Sequence, residues 1–200
     1  MANRLLTERS AQLVRERLLQ LKAKDENTYE HSLRVGKLCE VLAGRLQLDE
    51  KRTTLLTLGG YLHDIGKMLI PDPILLKDSA LTEEEWGIMK LHPNLGSIIM
   101  LGNDYVNQEL NDIIELHHER LNGSGYPYGL QGDKIPTLAR ICAIADAFDS
   151  MVSDRPYRKG LPLQEAAEEL RLHSGTQFDK HLVKVFLESI PSFREIYSEQ

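Results

Sequence analysis

The chain has 200 residues and a net charge of −6, with 42% of its residues hydrophobic and 27% charged. That is one domain with enough apolar material for a core, which argues against a disordered protein. The acidic balance also excludes a broad phosphate-backbone surface, so polymeric nucleic acid is not an expected partner and any anionic ligand has to be met locally, by metals and a few cations.

Cys39 and Cys142 lie in apolar, helical settings and read as buried reduced thiols rather than a disulfide framework. There is no signal peptide, and no apolar run approaches the roughly 20 residues that span a bilayer; the expected location is the cytoplasm, without membrane insertion.

Residues 1–24 read as an amphipathic helix, with Leu6, Ser10, Leu13, Arg17 or Leu18, and Leu21 at three- and four-residue steps. Packing on its own domain is the first expectation, with a connector or a short dimer seam as the alternative. After a break at Asp25, Asn27 with Glu30 resembles a capping pair and opens a helix that carries His31, Leu33, Val35, Leu38, Val41, Leu42 and Leu46. Asp49 caps the next helix, which runs into Tyr61-Leu62-His63-Asp64-Ile65-Gly66-Lys67 and is ended by Gly66 and Pro71. On such a helix the adjacent imidazole and carboxylate lie about 100° apart and lean toward one pocket, with Lys67 one turn on. Buried in an apolar helix, these groups are costly without partners, and a metal ion offsets the cost. The dipeptide alone reads first as a hydrogen-bonded pair propping a core.

Thr82 and Glu85 form a capping box for a further helix, whose Trp86 is expected to pack rather than to serve as a binding platform. His92-Pro93 interrupts the following run and frees His92 to point inward. A helix over 108–120 ends in His117-His118-Glu119-Arg120, and Asn122–Gly129 is a glycine- and proline-rich loop whose tyrosines either stack on a base or cover the core. Pro136 precedes a strongly apolar helix that contains Asp146 and, one turn on, Asp149. Residues 153–160 form a basic turn that on its own reads as a solvated loop. Pro162 opens a helix to about His173, Phe178-Asp179 opens the last one, and His173 and His181 read as surface residues. Strand-like alternation is absent, so the fold is expected to be all-helical.

Five of the seven histidines (His31, His63, His92, His117 and His118) fall at or near helix ends, and Asp64 and Asp146 sit in apolar helices. Seven N and O donors without a thiolate are about what two six-coordinate first-row metals need, with water or substrate completing the shells.

His63-Asp64-Ile65-Gly66-Lys67 resembles the core signature of the HD phosphohydrolases. The ordered series His31-Ser32-Leu33-Arg34-Val35, Leu91-His92-Pro93, His117-His118-Glu119-Arg120, Gly125-Tyr126-Pro127, Asp146-Ala147-Phe148-Asp149 and Arg155-Pro156-Tyr157-Arg158 is similar to that of the HD-GYP subgroup, cyclic dinucleotide phosphodiesterases of bacterial signalling. The resemblance covers roughly residues 25–190. It implies an all-α HD-domain helical bundle over residues 25–200, around a dinuclear or trinuclear site that commonly holds iron or manganese. By position, His31, His63, Asp64 and Asp146 would hold one metal, and Asp64 would bridge to a second held by His92, His117 and His118. Asn27 stands where some members have a glutamate that supports a third metal, so two divalent ions are expected. Asn122 replaces an aspartate often found before the loop glycine.

The implied reaction is attack on cyclic di-GMP by water activated between the two ions, giving linear pGpG and onward GMP. Asp64 and Lys67 would be catalytic, with Lys67, Tyr126, Arg155 and Arg158 binding substrate. The alternatives are another HD phosphohydrolase, acting on a hybrid cyclic dinucleotide or other nucleotide, and a non-hydrolysing signalling module. A homodimer, or an upstream or separate regulatory domain, is the expected protein partner.

Overall fold

The computed structural model describes residues 2–103, 106–154 and 159–197, with side chains from residue 11 onward. The chain starts with α1 (Ala2–Lys24), α2 (Glu26–Arg45) and α3 (Glu50–Leu62), followed by a 3-10 segment at Ile65–Leu69. The shorter α4 (Asp72–Leu75), α5 (Glu83–Met89), α6 (His92–Met100) and α7 (Gln108–Leu116) come next. A long α8 (Thr137–Val152) precedes α9 (Leu163–Leu172), α10 (Lys180–Ser189) and α11 (Arg194–Tyr197). Among the described residues no strand forms, only isolated bridges between Asn122 and Gln131 and between Ser174 and Phe178. The expected helical bundle is what the chain builds.

Short polar side chains set the helix starts. Asp25, not Asn27, caps α2: its carboxylate accepts the N–H groups of Asn27 and Thr28, at 3.1 Å each. The helix begins at Glu26, which leaves Asn27 inside the first turn, among the donors that need a cap. Asp49, Thr82 with Glu85, Asn107 and Asp179 cap α3, α5, α7 and α10. Periodicity carries α3 and α7 too far. They end at Leu62 and Leu116, so His63, Asp64, His117 and His118 stand just past helix ends rather than within helices. Likewise, Pro162 is the N-cap of α9 rather than its first residue, and α11 follows the helix expected to be last.

The core lies where α2 crosses α3 and α8 packs over both, burying Leu38, Leu56, Ile113, Ile144 and Phe148. Gly36 and Gly60 permit that crossing: a Cβ on Gly60 would stand 3.0 Å from the Gly36 Cα. The crossing sets His31 of α2 beside His63 at the end of α3. From α1, Val14, Leu18 and Leu21 enter the same core, Val14 being a position that the predicted stripe missed. The Phe148, Phe186 and Phe193 rings pack successively edge-on and tilted, with centroids 4.9 and 5.0 Å apart, and tie α8 to α10.

Gly66 marks the closest approach between the 3-10 segment and α6. A Cβ there would stand 1.9 Å from the His92 carbonyl oxygen and 2.5 Å from the Gly96 nitrogen. The same contact brings Asp64 Oδ1 to 3.2 Å from His92 Nε2. Gly66→Ala has to push two backbones apart, at a cost of about 2 kcal/mol or more, the upper part of the range for overpacking. At about 2–4 °C per kcal/mol for a chain of this size, calorimetry is expected to show Tm lower by several degrees; an unchanged Tm contradicts this account of the packing.

Candidate metal centre

Three histidines stand where helices run out of backbone donors. The last carbonyls of an α-helix have no intrahelical partner. His63 Nδ1 donates to the Gly60 carbonyl, His92 Nδ1 to Met89 and His117 Nδ1 to Ile114, each at 2.8 Å. A carbonyl only accepts, so each Nδ1 carries the proton and each Nε2 presents a lone pair. All three Nε2 atoms face one buried space. His31 joins them from α2, its Nδ1 donating to Asp149 Oδ2 at 2.7 Å and its Nε2 turned inward.

The consequence is plainest between His92 and His117. Their Nε2 atoms are 3.3 Å apart, and neither has a proton to share. Two lone pairs at that distance repel unless a cation lies against both. The two buried carboxylates complete the arrangement. Asp64 turns Oδ1 to His92 Nε2 at 3.2 Å, and Oδ2 to His63 and His31 Nε2 at 3.4 and 3.6 Å. Asp146 places Oδ1 3.1 Å from His31 Nε2 and Oδ2 3.8 Å from His118 Nδ1. His118 Nε2 is 3.1 Å from His92 Nε2.

All seven donors picked from the sequence therefore meet, in three overlapping groups. Asp64 joins His92, His117 and His118; His31 joins His63 and Asp64; His63 joins His117 and Asp146; within each group the ligand atoms lie within 4.8 Å of one another. A nitrogen and oxygen set without thiolate, with the Asp64 carboxylate shared between two groups, fits divalent metal ions.

Electrostatics point the same way. Burial pushes His92 down to about 3 and His118 to about 4, and takes His117 well below its ordinary value. Burial opposes the charge on Asp64, yet the Lys67 ammonium beside it holds its carboxyl well below the usual range. For Asp146 burial again opposes, and the hydrogen bond from His31 outweighs it, holding the carboxyl well below the usual range. His31 moves oppositely: burial lowers it, but hydrogen bonds to Asp146 and Asp149 raise it to about 9. A metal entering here displaces a proton from His31, so binding is coupled to pH.

Lys67 Nζ lies 2.7 Å from Asp64 Oδ2, and the Tyr126 ring sits 4.6 Å from that of His118. Both line a cavity of about 640 Å³ whose wall also includes Asp64, His92, His118 and Asp146, residues 74–77 and 79–81, and Trp86. Arg155 and Arg158 lie outside the described residues. Trp86 corrects the sequence expectation. It is 45% exposed on a helix with no buried residue, and it forms part of the cavity wall instead of packing into the core. His173 and His181 are exposed, as expected, although His173 does have a carboxylate near it, Glu169 at 3.7 Å. A groove of about 690 Å³ beside α10 holds none of the converging donors, so chemistry rather than size selects the site.

Two buried carboxylates were not assigned from the sequence. Asp149 accepts from His31, from Arg34 Nε at 2.8 Å, from Ser153 Oγ at 3.1 Å and from Tyr197 OH at 2.9 Å, and its carboxyl is held down to about 2, burial notwithstanding. The available signal was its place in the apolar helix of Asp146, with Arg34 three residues after His31. Glu119 accepts the Tyr128 N–H at 2.7 Å and the Leu130 N–H at 2.9 Å, tying the Tyr126 loop to the residue after His118. Asn122 is exposed and accepts from Ser124, so Glu119 is the carboxylate that orients this loop.

A family model described as HD domain matches residues 12–182. A cyclic di-GMP phosphodiesterase of Pseudomonas aeruginosa is 39% identical over 194 residues, covering 94% of this chain and 47% of that protein. A 3′3′-cGAMP-specific phosphodiesterase of Vibrio cholerae is 38% identical over 189 residues, covering 94% of this chain and 36% of its own length. The chain thus spans about half or less of the curated relatives it matches. Among solved structures, an HD-GYP-type protein of Bdellovibrio bacteriovorus superposes with a TM-score of 0.69 at 25% identity, over 92% of this chain and 62% of that one.

The shifted histidines set a pH dependence. Unfolded histidine titrates near 6.5, whereas folded His92 and His118 take up protons only near 3 and 4. Between these values the unfolded chain binds more protons, so stability falls as pH drops. His31 contributes in full below pH 6.5 and loses its contribution as pH rises through about 9. The chelated protein is expected to show its highest Tm near neutral pH and a falling limb on each side. The acid limb should flatten in His92→Gln/His118→Gln. A wild-type Tm constant from pH 4.5 to 7 contradicts the assignment.

Proposed function

This chain belongs to the HD domain family, and we propose that it is a metal-dependent phosphodiesterase of the HD-GYP branch, opening cyclic di-GMP to linear pGpG and then to GMP. The observation that carries this reading is the set of inward, unprotonated Nε2 atoms at the foot of a cavity that also holds Lys67 and Tyr126. The 39% identity to a protein named for that activity supports it.

In this reading His31, His63, Asp64 and Asp146 hold one divalent ion, and Asp64 with His92, His117 and His118 holds a second; iron or manganese suits such a mixed imidazole and carboxylate set. Asn27 supplies no acid for a third. When bound, the ions supply Lewis acidity, lowering the pKa of water and offsetting the charge of the diester. The chain's own groups do the rest. Asp64 fixes the spacing of the two imidazole groups, one oxygen toward each. Lys67, beside Asp64, neutralises a non-bridging phosphate oxygen as charge builds. Tyr126 lines the nucleoside side, and Arg155 and Arg158 offer guanidinium forks to phosphate.

Two buried, unlinked thiols, Cys39 and Cys142, suit a reducing cytoplasm, and among the described residues no helix is long and apolar enough to cross a membrane. Under the same reading residues 25–200 are the catalytic unit, and residues 1–24 are a helix that packs on it through Val14, Leu18 and Leu21 and serves as its connector or dimer contact.

A second substrate, the guanine–adenine hybrid, is favoured by the Vibrio cholerae relative at 38% identity. Anaerobic purification with metal analysis, then incubation with both cyclic dinucleotides, tests the proposal. Two metal equivalents and linear product from cyclic di-GMP are expected. Lys67→Ala should keep the metals and lose about 100-fold in kcat, the scale of removing one charge-stabilising group. Metal without turnover of either dinucleotide contradicts the proposal and leaves a binding module.

A further inference from the structure

A cyclic dinucleotide is longer than the chemistry it undergoes. It carries two phosphodiesters and two purines, so when one diester sits at the metal donors the other half must lie elsewhere in the cavity. Besides Asp64, His92, His118 and Asp146, the wall of that cavity includes Trp86 and Met89 of α5. This indole is 45% exposed, on a helix that buries no side chain, so it owes its place to no core contact. Its helix is nevertheless held firmly. Glu85 caps α5 by accepting the Thr82 N–H at 2.7 Å and also pairs with Lys77 at 2.6 Å, joining α5 to another residue of the cavity wall.

The two aromatic residues of the cavity differ in availability. Tyr126 already packs against the His118 imidazole, at 4.6 Å between centroids, whereas Trp86 carries only an ammonium over its ring. That ammonium belongs to Lys90, whose Nζ lies 5.7 Å from the Trp86 centroid and 5.8 Å from that of Tyr126. Beyond the metal donors, the cavity wall therefore offers one indole that packs on no other ring among the described residues, with a cation over it: the pairing that a purine attached to a phosphate requires.

We propose that Trp86 is the stacking platform for the second purine of the cyclic dinucleotide, with Lys90 meeting the phosphodiester that is not being cleaved. This rests on the phosphodiesterase reading and adds a specificity-determining residue to it. The platform grips the distal nucleotide and leaves the reacting diester to the histidine end, so a substrate without a purine gains nothing from it.

Two measurements on the full metal-loaded chain test the proposal. Trp86 is the chain's single tryptophan, so stopped-flow indole fluorescence reads binding separately from turnover; cyclic di-GMP is expected to quench it within the mixing phase. For Trp86→Ala, kcat/KM for cyclic di-GMP should fall at least about tenfold further than for bis(p-nitrophenyl) phosphate, a diester without a base, in line with the loss on truncating a stacking aromatic. Trp86→Phe should recover most of that difference. Equal loss on both diesters, or hydrolysis of cyclic di-GMP with fluorescence unmoved, overturns the stacking role and leaves the phosphodiesterase reading intact. A wild-type chain that cleaves neither cyclic dinucleotide overturns both.

Discussion

Helix ends carry the chemistry of this molecule. The closing carbonyls of α3, α5 and α7 each receive a histidine Nδ1–H instead of a backbone N–H, all at 2.8 Å. One hydrogen bond does two jobs. It satisfies an acceptor that would otherwise be buried without a partner, and it fixes the tautomer so that a lone pair faces inward. Three repeats of this device, from helices remote in sequence, point Nε2 atoms at one another. Such a cluster is unfavourable by itself and becomes favourable around cations. Metal affinity is thus written into the way the helices stop.

The rest of the fold brings those ends together. Gly36 and Gly60 let α2 and α3 cross closely, setting His31 beside His63, and Gly66 lets the dyad segment rest on the first turn of α6. Asp149 gathers His31, Arg34, Ser153 and Tyr197 on one buried carboxylate, linking α2, α8 and α11 behind the donors. A buried anion with four hydrogen-bonding partners resists displacement, and that stiffness keeps the His31 ring in register. Glu119 does the same for the loop that carries Tyr126.

The sequence revealed the donors better than the elements that present them. All seven ligating candidates converge because each is a polar residue at a break in an apolar pattern, and such breaks can be seen in a single chain. Helix ends were less visible. Periodicity continues past His63 and His117, whereas the helices end at Leu62 and Leu116, where each ring captures an i−3 carbonyl. Asp149 and Glu119 were passed over because their partners lie up to 118 residues away, or are backbone N–H groups that no pattern displays. Trp86 was misplaced for a related reason: apolar spacing on α5 suggests a buried face, but the helix lies against a cavity rather than the core.

The central claim is that His63, His92 and His117 are held as Nδ1–H tautomers with Nε2 bare. Long-range ¹H–¹⁵N correlation spectra of the chelated, ¹⁵N-histidine-labelled protein report this directly. The account predicts three rings with protonated Nδ1 and unprotonated Nε2, and loss or displacement of those Nε2 signals when a divalent metal is added. Nε2–H tautomers at these positions, or Nε2 signals indifferent to metal, would contradict it.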